Sequence, residues 1–127
     1  MQLTVIIPVY NEEETLEEII RRVKGTGLAN EILCVDDGSN DRSREILKGY
    51  ENDPIVNVIF SEKNEGKGAA VRKGILAARS EYAIIQDADL EYNPACYASL
   101  IKPIEDGIAD VVYGSRFLGA ARRPILF

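Results

Sequence analysis

The residues able to do chemistry stand at the ends of apolar runs. Gln86-Asp87-Ala88-Asp89-Leu90 closes the run Tyr82-Ala83-Ile84-Ile85. In an extended backbone side chains alternate, so Asp87 and Asp89 share one side and Ala88 takes the other. Two carboxylates in one small volume repel unless a cation, a donor or a shared proton intervenes, and hard oxygen ligands of this kind suit Mg²⁺ or Mn²⁺. Spacing alone leaves a second reading open, in which one Asp caps the following loop and the other is solvated. A second acidic pair, Asp36-Asp37, follows the run Ile32-Leu33-Cys34-Val35, and Asn11-Glu12 follows the first run of the chain. Carboxylates accept hydrogen bonds from a ribose diol or from base N–H groups, which gives Glu12, Asp36 and Asp37 a nucleoside-binding role. Capping and turn formation compete with that role, although two adjacent acids exceed what one cap needs. Gly66-Lys67-Gly68 is placed to open a helix, where backbone N–H groups and Lys67 can meet a phosphate or an acidic partner. Many carboxylates with few cations suit a diphosphate carried on a divalent metal better than a bare phosphate, because the metal reverses the local sign.

The elements that must position these groups alternate along the chain. Leu3 to Pro8 is a β-branched apolar run, the pattern of a strand buried on both faces, with Pro8 at its end where a lost donor matters least. Asn11 is expected to cap a helix whose first turn carries Glu12, Glu13 and Glu14 and whose inner face is Leu16, Ile19, Ile20 and Val23, before Gly25. A second strand over Ile32 to Val35 leads through a turn into a short helix from Arg42 to Gly49. Ile55 to Phe60 is a third strand, followed by a helix from Ala69 to Arg79 with Val71, Ile75 and Leu76 inward. Tyr82 to Gln86 is a fourth strand. Pro94 starts a helix carrying Tyr97, Leu100, Ile101 and Ile104, and Asp110 to Tyr113 is a fifth strand. This alternation defines an α/β chain with a Rossmann-like, doubly wound, mainly parallel sheet flanked by helices. Ligands of such sheets bind outside the carboxyl ends of the strands. Glu12, Asp36, Asp37, Asp87, Asp89 and the Ser115-Arg116 pair all fall at that edge.

Composition narrows the choice further. The 127 residues make one domain, spanning 1–127. Fifteen basic against twenty-one acidic residues give a net charge of −6, which argues against a nucleic-acid groove or a strongly basic membrane face. Histidine is absent, which excludes Ser-His-Asp triads, His-rich zinc sites and imidazole acid–base chemistry. Cys34 and Cys96 form no CxxC pair and read as reduced, structural thiols of an intracellular protein. Met1 to Pro8 show no positive n-region and no apolar run long enough for a signal or spanning helix, and are expected to form a strand instead. No Walker P-loop occurs, and no Gly-x-Gly-x-x-Gly follows the first strand.

Five ordered motifs, Pro8-Val9-Tyr10-Asn11-Glu12, Val35-Asp36-Asp37-Gly38-Ser39-x-Asp41, Asn64-x-Gly66-Lys67-Gly68, Asp87-Ala88-Asp89-Leu90 and Gly114-Ser115-Arg116-Phe117, resemble the family-two glycosyltransferases. The resemblance covers nearly the whole chain and is closest to the dolichyl-phosphate and polyprenyl-phosphate mannosyltransferase branch. It implies a GT-A fold and an inverting transfer from a GDP- or UDP-sugar, with Mg²⁺ or Mn²⁺ held through the Asp-x-Asp element. By that likeness Pro8, Tyr10, Glu12, Asp36, Asp37, Lys67, Asp87 and Ala88 form the nucleotide pocket. Asp87, Asp89 and Glu91 are the metal ligands, Glu91 standing where the branch often has Gln. Asp87, Asp89 and Arg116 are the catalytic set, with Arg116 near the diphosphate or the acceptor phosphate. The implied acceptor is a lipid phosphate or a saccharide. The implied location is cytoplasmic, at the cytoplasmic face of a membrane, with peripheral membrane contact through a C-terminal part.

Members of that family continue well past the Gly-Ser-Arg-Phe segment, so the chain reads as the donor half of a longer protein. Phe117, Ile125, Leu126 and Phe127 are then expected on an exposed apolar face that favours self-association into a homo-oligomer. Asp37 is expected at a surface turn, where its loss weakens binding more than stability. Three alternatives stay open: a chain that binds a nucleotide sugar or docks a partner without turnover, a phosphoacceptor receiver domain, and a sugar-nucleotide pyrophosphorylase. The receiver domain expects its acidic pair after the first strand, and the pyrophosphorylase a Gly-rich signature there.

Overall fold

The structure, a computed structural model, describes residues 2–88 and 125–126. Strands β1 (Leu3–Val9), β2 (Glu31–Asp36), β3 (Val56–Phe60), β4 (Tyr82–Ile85) and β5 (Ile125–Leu126) form one sheet in the order β3-β2-β1-β4-β5. Every pairing is parallel. Helices α1 (Leu16–Gly25), α2 (Ser43–Lys48) and α3 (Lys67–Ala77) fill the three connections from β1 to β4. The helix expected from Pro94 and the strand expected over Asp110 to Tyr113 lie outside the described residues.

Period-two alternation along β1 builds two cores. Val5, Ile7 and Val9 pack with Leu16, Ile19, Ile20 and Val23 of α1 and Leu47 of α2, while Ile6 packs with Leu33, Val35, Ala70, Ala78 and Ala83 on the α3 side. The four α1 residues have the i, i+3, i+4, i+7 spacing of one helix face and are fully buried. Each contributes about 1.5–3 kcal/mol by leaving water.

Helix α3 buries Val71 and packs the half-buried Ile75 against the core as expected, but not Leu76. Its buried residues are Ala70, Val71 and Gly74, whereas Leu76 is 62% exposed. Close approach to β1 selects small side chains here, since a Cβ on Gly74 would lie 2.5 Å from Ile6 Cγ2. Asn11 does not cap α1 either. The residue before that helix is Thr15, and Asn11 instead adopts φ 52° and bonds to the loop after β2. Ile125 and Leu126 pair their backbone with Ala83 and Ile84 as an added strand.

At the amino ends of the strands the buried Glu31 gathers three partners. Its carboxylate accepts from the Thr4 hydroxyl at 2.8 Å, the Asn57 amide at 2.7 Å and the Arg79 N–H at 2.9 Å. This ties β1, β2, β3 and the α3–β4 connection together at one edge and leaves the opposite edge to the loops.

Candidate functional site

The strand order reverses at β1 and β4, which are neighbours although two strands and three helices separate them in sequence. In a parallel sheet a crevice opens beyond the carboxyl ends of two such neighbours. A cavity of about 450 Å³ occupies it. Pro8, Val9, Tyr10 and Glu12 enter from the end of β1, Asp37 from the end of β2, and Asp87 and Ala88 from beyond β4. Asn64, Gly66, Lys67 and Ala70 enter from the start of α3 and the loop before it.

The loops are knitted together by side chain to backbone bonds. Asn11 N–H donates to Ser39 Oγ at 3.0 Å, and Asn11 Oδ1 accepts from Asn40 N–H at 2.7 Å and Asp41 N–H at 3.2 Å. Glu12 N–H donates to Ser43 Oγ at 2.9 Å, which fixes the residue whose side chain lines the cavity. Asp41 Oδ1 accepts from Ser43 N–H at 2.8 Å and Oδ2 from Glu13 N–H at 3.2 Å. Burial pushes the Asp41 carboxyl upward, but the hydrogen bonds from the Ser43 hydroxyl and N–H and from Glu13 N–H outweigh it and hold the group below its ordinary value. The Thr15 hydroxyl donates to the Ala88 carbonyl, joining the start of α1 to the segment after β4.

Asp37 is buried rather than exposed at a turn. Its Oδ1 accepts from Glu65 N–H at 2.8 Å and its Oδ2 from Gly66 N–H at 2.9 Å, so one carboxylate positions the loop that delivers Lys67. The neighbouring Gly38 has φ 73°, and a Cβ there would meet Lys63 C and Asn64 N at 2.6 Å. Both features make the β2 turn and the 62–66 loop one unit. Asp36 is not among the wall residues: it is fully buried, with Oδ2 at 3.4 Å from Arg44 and accepting from Ser39 N–H at 3.3 Å. Arg44 in turn lies over the Phe60 ring at 4.9 Å and donates to the Ser61 carbonyl.

Lys67 begins α3, and its ammonium pairs with Asp87 Oδ1 across the cavity. The side chains are 43% and 21% exposed. Among the described residues no three His, Cys, Asp or Glu side chains converge as a metal centre, and Asp89, Glu91 and Arg116 lie outside the described residues. Asp87 itself fits a cation, because it presents an oxygen to the cavity that already carries a positive group. Tyr10, 43% exposed, adds an aromatic residue to the same wall.

Seven of the expected residues thus meet in one cavity: Pro8, Tyr10, Glu12, Asp37, Lys67, Asp87 and Ala88. Gly66, expected to offer its backbone at the helix start, joins them, as do Val9, Asn64 and Ala70, which were not singled out for the site. Asn64 and Gly66 stand in the Asn64-x-Gly66-Lys67-Gly68 motif, which was the signal available. Val9 and Ala70 form apolar wall, for which residue type carries no chemical flag.

A parallel sheet with this order and a crevice among its carboxyl-end loops is the GT-A, Rossmann-like architecture. The chain belongs to glycosyl transferase family 2, which its residues 4–122 match. It is 38% identical over 120 residues to the dolichol-phosphate mannosyltransferase of Pyrococcus furiosus, covering 93% of this chain and 34% of that protein. It is 39% identical over 117 residues to the undecaprenyl-phosphate 4-deoxy-4-formamido-L-arabinose transferase of Pseudomonas aeruginosa, covering 87% and 34%. The chain therefore spans about a third of the length of these two relatives. In fold it is similar to the mannosyltransferase of Pyrobaculum calidifontis solved with GDP-Man and Mn²⁺, with TM-score 0.76, 24% identity and coverage of 91% of this chain and 36% of that one. It is likewise similar to S. aureus TarS solved with UDP-GlcNAc, with TM-score 0.75, 24% identity and coverage of 91% and 35%.

Proposed function

We propose that this chain carries the donor site of an inverting glycosyltransferase that moves a sugar from a GDP- or UDP-sugar to a polyprenyl or dolichyl phosphate. The observation that carries this reading is the cavity where Tyr10, Glu12, Asp37, Lys67 and Asp87 meet. Family membership and the lipid-phosphate names of the two relatives support the acceptor class. In this reading the nucleoside lies against Pro8 and Tyr10, with Glu12 accepting from the ribose or the base. Asp37 acts by holding the Glu65–Gly66 backbone and through it Lys67. Lys67 meets a phosphate oxygen of the donor, and Asp87, Asp89 and Glu91 hold Mg²⁺ or Mn²⁺. When bound, the metal supplies Lewis-acid stabilisation to the departing diphosphate. Arg116 contacts the diphosphate or the acceptor phosphate. The acceptor oxygen attacks the anomeric carbon on the face opposite the diphosphate, so configuration inverts as that bond breaks. A phosphate acceptor is already anionic near neutral pH, and a chain without histidine needs no strong base for it. The acceptor would bring the protein to a membrane surface; among the described residues no helix is long and apolar enough to cross one.

Calorimetric titration of UDP, GDP and their sugars, with Mn²⁺ and with excess chelator, tests the donor site. Binding is expected to require the divalent cation and to be lost in Asp87→Asn, with transfer to a polyprenyl phosphate measured alongside. Unchanged nucleotide affinity in chelator would overturn the metal-assisted reading. Binding without transfer to any lipid phosphate would favour a nucleotide-sugar-binding role.

A further inference from the structure

The Lys67–Asp87 pair has a consequence beyond donor binding. We propose that Lys67 is a built-in counter-ion that occupies Asp87 until a divalent cation displaces it, so that metal entry releases Lys67 toward the donor diphosphate. The inference rests on the reading of Asp87 as a metal ligand.

Three observations carry it. The Lys67 ammonium sits on Asp87 Oδ1 inside the cavity wall, in the place a hard cation would take on that oxygen. The two residues come from different elements, α3 and the segment after β4, so no helical i,i+4 spacing imposes the contact. Lys67 is anchored at its backbone end by the Asp37 bonds to Glu65 and Gly66, while its side chain is a flexible four-carbon stem that can change partner without moving α3. A carboxylate at the cavity is thereby kept neutralised when no cation is bound. One displacement then serves both ligands, since the freed ammonium and the metal face the same diphosphate.

The competition predicts that removing the Lys67 charge strengthens binding of the metal alone. A partly exposed ion pair is worth up to about 1 kcal/mol, so the gain is expected at up to about five-fold. Mn²⁺ affinity of the full chain without nucleotide would be measured by electron paramagnetic resonance titration for the native protein, Lys67→Met, Lys67→Arg, Lys73→Met and Asp87→Asn. Lys73 pairs with Glu65 and Ser61 rather than with Asp87, and reports any general effect of deleting a nearby positive charge. Tighter Mn²⁺ binding in Lys67→Met, with no tightening in the charge-keeping Lys67→Arg and native affinity in Lys73→Met, supports the exchange. Unchanged or weaker binding in Lys67→Met, or an equal gain in Lys73→Met, overturns it while leaving the metal site intact if Asp87→Asn abolishes binding. Native Mn²⁺ affinity in Asp87→Asn overturns both the exchange and the metal role of Asp87.

Discussion

Asp37 spends both of its carboxylate oxygens on backbone N–H groups of another loop. An amide in its place keeps one acceptor oxygen and turns its NH₂ toward the N–H that the second oxygen had accepted from. Asp37→Asn is therefore expected to cost about 1–3 kcal/mol, seen as a fall in melting temperature of roughly 3–5 °C per kcal/mol. Any loss of nucleotide affinity in that variant passes through the displaced 65–66 backbone as well as through the charge. Asp41 offers a pH readout on the adjacent loop. Because its folded-state affinity for the proton is lowered, its stabilisation is present above the ordinary carboxylate range and is lost as pH falls through the lowered value. The melting-temperature gap between the native chain and Asp41→Asn should be largest near neutral pH and narrow as pH falls below the ordinary carboxylate range. A gap that persists unchanged at the acid end would mean the loop does not depend on the ionised carboxylate.

At the scale of elements, α1 and α3 contrast. The inner face of α1 is made of large aliphatic residues at regular helical spacing, and hydrophobicity alone locates it. The inner face of α3 is Ala70, Val71 and Gly74, and hydrophobicity points to the wrong side of the helix at Leu76. The difference lies in the distance to the sheet, which at α3 leaves no room for a Cβ on Gly74. Gly74→Ala is the corresponding test. Helix propensity favours the change by about 1 kcal/mol, but pressing a methyl into the β-branched Ile6 costs about 1–3 kcal/mol. A net loss of stability in urea denaturation is expected, and a gain would show that α3 is free to move away from β1.

Across the whole molecule, the strand order puts β1 at the centre and brings the segments after β1 and β4 side by side. The binding edge is thus assembled from residues up to about 80 positions apart in the chain, Pro8 and Ala88 among them. The other end of the sheet is closed by β5, which pairs with Ala83 and Ile84. Removing Ile125, Leu126 and Phe127 leaves the β4 edge without that partner, and unpaired edges template association. Such a shortened chain is expected to melt lower and to scatter more light at equal concentration. Equal melting and scattering would show that β5 pairing contributes nothing to the sheet.

The alternation of apolar strands and helices, the acidic groups at strand ends and the Gly66-Lys67-Gly68 helix start were legible in the amino-acid order, because each depends on residues within a few positions of one another. From them came the α/β class, the binding edge and most of the cavity wall. What only the tertiary structure decided depends on who meets whom across the fold. Asp36 and Asp37 are adjacent and chemically identical, yet Asp36 is buried against Arg44 while Asp37 holds the backbone of the 65–66 loop. Asn11 looked like a helix cap and instead ties the β1 and β2 loops together. Lys67 and Asp87, twenty positions apart, form a pair. None of these partnerships has a local signal, since side-chain direction at a strand end is set by the neighbouring loops, and those neighbours are fixed only by the order of strands in the sheet.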